Sequence, residues 1–299
     1  MVNAQIWLDA IHSNKQKTDK IELNTESNCW APKNENDVDL QGELLISDYS
    51  NLKIIRICKT SINKVKIVNC PKLEFAYLSR NEITDLEVNG KFNELKGLVC
   101  ENNSLTNIIL PDEAKKLGTL FLAGNNLKQD LSLFSKFTNL WEIRIYDNGF
   151  YGSLKPLKNL KRLDFLQIEH TDIDSGLEYL PDSLRRFSCD CWCDYCDRPD
   201  SVCRILDAQL SSYGGDKGRY LDWREKNQDL ILKARLEGLS KEEELIELNK
   251  ILAKQLLKAN KSLEKEKKDN QNLKELNSQL IQKLKEKKEQ VAQIETLPK

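Results

Sequence analysis

Hydrophobic positions repeat every 21 to 23 residues between residues 52 and 191. In each period the apolar residues follow the order L-x-x-L-x-L, and a polar residue, usually Asn, stands three positions after the last of them. A constant period of this kind predicts equivalent segments stacked as a solenoid. The copies begin at Leu52, Leu73, Leu95, Leu117, Leu140 and Leu163, with a degenerate copy at Leu184.

The L-x-L part of each copy predicts a short strand. Apolar residues two positions apart share one face of a strand, and the residue between them faces the other way. One copy cannot bury its apolar face alone, so stacked copies share a core in which each filled site contributes roughly 1.5–3 kcal/mol. The predicted inward pairs include Ala76 with Leu78, Leu98 with Cys100, and Leu120 with Leu122.

The polar position of each copy falls where the chain turns away from the strand. A side-chain amide there can pair backbone groups of neighbouring copies that would otherwise be buried without partners. Thr60 and Thr171 replace Asn in the first and sixth copies, so we expect a weaker ladder at the ends. Shorter phrases between the copies predict return segments of short strands, turns or 3₁₀ helix. The ladder positions are Asn81, Asn103, Asn125 and Asn148.

On these motifs the chain resembles the leucine-rich repeat family. The phrase LEYLPDSL from Leu177 and the YGG at residues 213–215 are similar to phrases of intracellular leucine-rich repeat proteins expanded in some fungi. The resemblance implies an α/β solenoid: an arc with a parallel concave sheet, helical caps at both ends and, here, a long C-terminal α-helix. It does not identify a partner.

Composition divides the chain into four predicted segments. Residues 1–45 form an N-terminal cap and first half-repeat, with a short helix near Ala4–Ile11, and residues 46–193 hold the leucine-rich repeats. Residues 194–239 form a Cys-rich and helical C-terminal cap, in which Asp200 or Ser201 can begin a helix. Residues 240–297 form a coiled coil.

The coiled-coil prediction rests on a sharp change of composition at Ser240, after which Lys, Glu, Leu, Gln and Asn dominate. Ser240 and Glu243 match a capping box. With Leu245 as a d position, ten of fifteen core sites are apolar, and Asn at three of the others favours a parallel homodimer in register. The alternative is a single solvated charged helix. The core asparagines are Asn249, Asn270 and Asn277.

Residues that alternate with the inward positions predict a binding surface for a protein partner on the concave face. Aromatic and Arg side chains dominate binding hot spots, and apolar residues are unusual on an open strand face. The alternative is that these are ordinary strand formers on a half-exposed sheet. The predicted surface comprises Phe75, Tyr77, Val99, Phe121, Trp141, Arg144 and Tyr146.

Five of the nine cysteines fall between residues 189 and 203. The repeat register places Cys189 inward. The other four could hold a structural zinc ion, since the C-x-x-C spacing lets two thiolates reach one metal, but a disulfide or plain reduced thiols remain as alternatives. The predicted ligands are Cys191, Cys193, Cys196 and Cys203.

Charge and composition narrow the range of functions. The formal net charge of −1 and the isoelectric point near 6.3 give no general attraction to nucleic acid or to an anionic membrane. No apolar run approaches the ~18 residues of a membrane span, and the first residues lack a secretory apolar segment. We therefore expect a cytoplasmic protein whose scattered cysteines are reduced. These are Cys29, Cys58, Cys70 and Cys100.

Catalysis is poorly supported, because the only histidines are His12, in the N-terminal cap, and His170, in a repeat loop. The sequence predicts a non-enzymatic adaptor, without a cofactor unless the cysteines bind zinc, whose concave surface binds a protein and whose coil dimerises. The alternative is a structural or assembly protein in which the coil does the work and the repeats are a stable head.

Overall fold

The computed structural model describes residues 2–23, 37–189, 203–213 and 218–295. Its largest feature is an eight-stranded parallel sheet, here called the concave sheet, in which each strand pairs in register with the next repeat. In chain order its strands are β2 (Lys20–Leu23), β4 (Ile54–Ile57), β6 (Phe75–Tyr77), β8 (Gly97–Val99), β10 (Thr119–Phe121), β11 (Glu142–Arg144), β13 (Phe165–Gln167) and β15 (Arg186–Ser188).

The return segments form a second parallel sheet, here called the return sheet. Its strands are β1 (Val2–Asn3), β3 (Leu40–Ser47), β5 (Ser61–Val68), β7 (Asp85–Asn89) and β9 (Asn107–Ile109). Later returns use 3₁₀ helices at Leu131–Phe134, Lys155–Leu157 and Leu177–Tyr179, and a small sheet of β12 (Tyr151–Ser153) and β14 (Asp172–Ser175). The predicted mixture of short strands and 3₁₀ pieces is confirmed.

One hydrophobic core runs between the two sheets through all the repeats. All six residues of the predicted inward pairs are at most 1% exposed. Cys70, Cys100 and Cys189 are buried in the same core, where a small thiol packs as a hydrophobe. The solenoid predicted from the repeat period is confirmed.

The asparagine ladder is also present. Asn125 donates from Nδ2 to the carbonyl oxygens of Cys100 and Leu122, both at 2.9 Å, and its Oδ1 accepts from the Leu105 N–H at 2.9 Å. Each amide thus joins two adjacent repeats. At the C-terminal end, Thr171 donates only to Ile168 of its own repeat, at 2.7 Å, as expected of a weaker ladder end.

The residue before each ladder position has a left-handed backbone, with φ between 52° and 65°. The sharp turn at the end of the strand requires it, and a side chain in this conformation costs roughly 1–2 kcal/mol. Only one of the six positions carries glycine, which avoids that cost. The six are Lys59, Arg80, Asn102, Gly124, Asp147 and His170.

At the N-terminal end, β1 is followed by α1 (Ala4–Ile11), the predicted helix, capped by Asn3 Oδ1, which accepts from the Ile6 N–H at 3.0 Å. The next strand, β2, pairs in register with β4. The concave sheet therefore begins inside the segment predicted as a cap. Ile21 and Leu23 supply its inward pair without the upstream leucine of the repeat phrase.

Between the last repeat and residue 236, the described residues form three helices: α2 (Cys203–Leu210), α3 (Arg219–Lys226) and α4 (Gln228–Leu236). Tyr220 and Trp223 of α3 are buried, and the Tyr220 ring lies 5.2 Å from that of Phe187 on β15. These helices close the C-terminal end of the core, as predicted. Asp200, Ser201 and the glycines at 214–215 lie outside the described residues.

The described residues from 235 to 295 form a separate unit dominated by α5 (Lys241–Glu295). Its predicted capping box is confirmed. Ser240 Oγ accepts from the Glu243 N–H at 3.3 Å, and Glu243 Oε2 accepts from the Ser240 N–H at 2.9 Å. Among the helices in the described parts of the chain, none is both long and apolar enough to cross a membrane.

Candidate binding surface on the concave sheet

Outward side chains of the concave sheet form three columns that run across the repeats. The first column holds Ile54, Phe75, Gly97, Thr119, Glu142, Phe165 and Arg186. The middle column holds Arg56, Tyr77, Val99, Phe121, Arg144, Gln167 and Ser188. The last column, just beyond the strand ends, holds Cys58, Ser79, Glu101, Ala123, Tyr146 and Glu169.

The structure brings the predicted surface residues together across four repeats. Phe75 and Tyr77 stack with ring centroids 5.9 Å apart and planes 11° from parallel. The Arg56 guanidinium lies 5.1 Å from the centroid of the Tyr77 ring, and Arg56 Nη1 is 3.3 Å from Glu22 Oε1. The aromatic side chains are thus held in place by neighbours before any partner binds.

Arg144 is the most constrained of these side chains. Its guanidinium lies 4.3 Å from the Phe121 ring centroid, and Glu142 Oε1 accepts from its Nε at 2.9 Å and from its Nη2 at 2.7 Å. The Glu142 side chain is only 8% exposed, so this ion pair is largely screened from water. In the sequence, nothing distinguishes Glu142 from any other first-column residue.

Accessibility differs within the predicted surface. Trp141, immediately before the first column, is 43% exposed, whereas Val99, in the middle column between Tyr77 and Phe121, is 8% exposed. Phe75, Tyr77, Phe121, Arg144 and Tyr146 are partly exposed. Val99 therefore contributes to the floor of the surface and little to the area that a partner could contact.

A buried carboxylate lies in the last column, at Glu101. The residue is 0% exposed, and neither carboxylate oxygen has a hydrogen-bond partner among the described residues. Burial raises its pKa from 4.5 to about 7, with Arg144 lowering it and Glu142 raising it. The carboxyl group is therefore partly protonated at neutral pH. No sequence signal distinguished this residue.

Burial also raises the pKa of Glu169 and Tyr146 in the same column. Glu101 further raises the pKa of Tyr146, so the two side chains lie within electrostatic range across the small Ala123. This edge of the concave sheet holds acidic groups in a weakly hydrated setting.

The cysteines differ in part from expectation. Cys58 is disulfide-bonded. The expectation that the scattered cysteines are all reduced is therefore wrong for Cys58, while Cys70 and Cys100 are free. Residue 58 stands at the end of β4, where the chain leaves the concave sheet.

The proposed zinc ligands Cys191, Cys193 and Cys196 lie outside the described residues, and Cys203 begins α2 with its side chain undescribed. Within the described ranges no group of three or more His, Cys, Asp or Glu side chains could hold a metal ion. The zinc site stays a prediction.

No protein-family model matches the sequence, and no curated protein matches it. Among solved structures, the chain is similar to one in the "Structure of the Toll - Spatzle complex, a molecular hub in Drosophila development and innate immunity". That match has 18% identity and a TM-score of 0.45, and it covers 58% of this chain and 26% of that chain. The chain thus matches about a quarter of the length of that structure.

Proposed function

We propose that this protein is a non-enzymatic adaptor that binds a protein partner on its concave sheet. Repeat solenoids are typical binding scaffolds, because stacking creates an extended surface that needs no catalytic residues. The observation that supports the concave sheet most is the ordered cluster of Phe75, Tyr77, Phe121 and Arg144. Rigid aromatic and Arg side chains lose little conformational entropy on binding and contribute strongly to affinity.

Affinity purification of the full chain with a matched pair of double variants tests this proposal. Tyr77→Ala with Phe121→Ala removes two partly exposed aromatic side chains and should lose the captured protein while leaving the fold intact. Leu45→Ala with Ile109→Ala removes two exposed apolar side chains from the return sheet and should keep it. If both variants retain the same proteins as the wild type, the concave sheet is not the binding surface.

Self-association through α5 is the second part of the proposal. Four apolar core sites of the predicted heptads are at least half exposed in a single chain. Burying a leucine is worth roughly 1.5–3 kcal/mol, so a second copy would gain substantially by covering them. A parallel dimer would also present two concave sheets and increase avidity. The four sites are Leu245, Leu252, Leu256 and Leu263.

Adjacent leucines offer a matched test. Leu256 lies on the predicted seam and is 64% exposed, whereas Leu257 lies off it and is 58% exposed. Leu256→Glu should shift the sedimentation of the full chain from dimer to monomer at tens of micromolar. Leu257→Glu should leave the sedimentation unchanged. A wild-type monomer at that concentration, or equal effects of the two substitutions, would contradict the seam.

The exposed leucines also favour the alternative, an assembly protein in which α5 is the working part. Deleting residues 240–299 separates the two functions: loss of the partner in this deletion, with no loss in the Tyr77/Phe121 variant, favours assembly.

We include a cytoplasmic location in the adaptor proposal. The Cys58 disulfide weighs against it, because structural disulfides are rare in that compartment.

A further inference from the structure

A cleft of about 450 Å³ lies along the edge of the concave sheet where the strands begin. Phe75 and Trp141 form its apolar walls, and Gly118 and Thr119 lie between them. This volume is within the range of roughly 300–1,000 Å³ that is usual for ligand pockets. The cleft could therefore receive one large side chain of a bound protein.

Two glycines let the aromatic walls lie against the backbone. A Cβ atom on Gly97 would stand 2.7 Å from Thr119 Oγ1 and 2.9 Å from Phe75 Cδ1, and one on Gly118 would stand 2.8 Å from Trp141 Cδ1 and Nε1. Any larger residue would push these rings away from the sheet. The glycines thus set the positions of the two walls, one from β6 and the other three repeats further along the solenoid.

The rim of the cleft is cationic. Lys96 Nζ is 2.6 Å from Glu74 Oε2, and Lys116 Nζ is 2.6 Å from Glu94 Oε2, so each lysine is neutralised by a glutamate of the preceding repeat. Arg162 instead donates from Nη1 to the amide oxygen of Asn139 at 2.9 Å. Three cations and two carboxylates leave an excess of one positive charge at Arg162. A ligand that carries one carboxylate beside the cleft would neutralise this excess charge.

We infer that the cleft binds an aromatic side chain of a protein partner, with an adjacent acidic residue held by Arg162. The inference rests on the proposed function and specifies the chemistry of the partner. A guanidinium with unused N–H donors suits a carboxylate, which it can bind through two parallel hydrogen bonds. A nucleic-acid strand could stack its bases on the same rings. Its successive phosphates would find only one unpaired cation, because Lys96 and Lys116 are already paired with glutamates.

The probe is a capped hexapeptide with one phenylalanine between two aspartates in a glycine background, titrated into the full chain. The readout is the NMR signal of the Trp141 indole N–H, identified as the signal missing from Trp141→Phe. We expect a saturable shift that is lost when the phenylalanine becomes alanine and weakened when the aspartates become lysines. Gly118→Ala, which displaces the Trp141 ring, should also abolish it.

A matched pair of charge variants tests the role of Arg162. Lys72 occupies the same position in its repeat as Arg162, just before the first leucine, and contacts an amide in the same way, with Nζ 2.6 Å from Asn51 Oδ1, but it lies outside the cleft. Arg162→Gln should weaken peptide binding about threefold, as expected for an exposed ion pair. Lys72→Gln should leave the affinity unchanged.

Equal binding of the aspartate and lysine peptides would overturn the inference. So would equal effects of Arg162→Gln and Lys72→Gln, or a shift produced by an oligothymidylate and not by the peptide. The Tyr77/Phe121 double variant tests the proposed function independently of the peptide experiment. If that variant loses the partner while the peptide leaves Trp141 unmoved, the concave sheet binds a partner whose contacts do not use the cleft.

Discussion

Replacing Glu101 by glutamine should stabilise the protein at neutral pH and leave its stability unchanged in acid. The side chain is fully buried, and its carboxylate oxygens accept no hydrogen bond within the described part of the chain. Glutamine has nearly the same shape and carries no charge. The substitution therefore isolates the cost of ionising a carboxyl group at this position.

The pKa of Glu101 sets the size and the sign of the effect. Its pKa is about 7 in the folded state and near 4.5 in the unfolded chain. The unfolded state therefore releases the proton first, and the free energy of unfolding falls as pH rises from about 4.5 to about 7. The difference between the two values corresponds to about 3 kcal/mol, fully lost above pH 7. Glu101→Gln removes this loss.

Urea denaturation of wild type and Glu101→Gln at several pH values between 4.5 and 8 measures the effect. The two free energies of unfolding should coincide at the acid end and separate by up to about 3 kcal/mol at pH 8. Glu74→Gln is the control, because hydrogen bonding to Lys96 lowers the pKa of Glu74 below its usual value, so its difference from wild type should stay nearly constant across this pH range. If the free energies of unfolding of wild type and Glu101→Gln differ by the same amount at every pH, the raised pKa of Glu101 is refuted.

Three further predictions concern the repeat backbone and the thiols. Asn148→Ala should destabilise the fold by about 3 kcal/mol in urea denaturation, because Asn148 is fully buried and bonded to the preceding repeat at Leu122 O and Leu127 N; a loss below 1 kcal/mol would contradict the ladder. Gly124→Ala should cost about 1–2 kcal/mol, since alanine must adopt φ near 65°, and an unchanged denaturation midpoint would contradict it. Because Cys58 is in a disulfide, thiol titration of the unreduced, denatured chain should find at most seven of the nine thiols; nine would contradict it.

Much of the solenoid could be predicted because its elements repeat. Period, inward pairs and ladder positions each occur several times, so the register of one strand fixes that of its neighbours. The strand β2 could not be predicted, for the opposite reason. Its Ile21 and Leu23 have the correct spacing, but the rest of the phrase is absent. Half of an apolar pattern is common in loops and gave no basis for predicting a strand.

The electrostatics of the concave sheet could not be predicted in the same way. The pKa of Glu101 depends on its burial and on the charges of Arg144 and Glu142, two repeats away in space. Glu142 is equally ordinary in the sequence, and its importance arises from its two hydrogen bonds to Arg144. Such effects depend on which rotamers neighbouring repeats select, and the repeat phrase carries no information about the outward side chains.

The cleft between Phe75 and Trp141 does have a signal in the sequence, namely the two glycines beside it. Neither Gly97 nor Gly118 is in the left-handed conformation, so backbone geometry does not require glycine there. What requires it is the side chains that occupy the space of each missing Cβ, Thr119 and the Phe75 ring at Gly97 and the Trp141 ring at Gly118. A glycine in a strand position often marks a close approach by another group. In a stacked repeat that group comes from a neighbouring copy, about 22 residues away in sequence. Outward glycines should therefore be read together with the aromatic residues of the adjacent repeats, which here identifies both walls of the cleft.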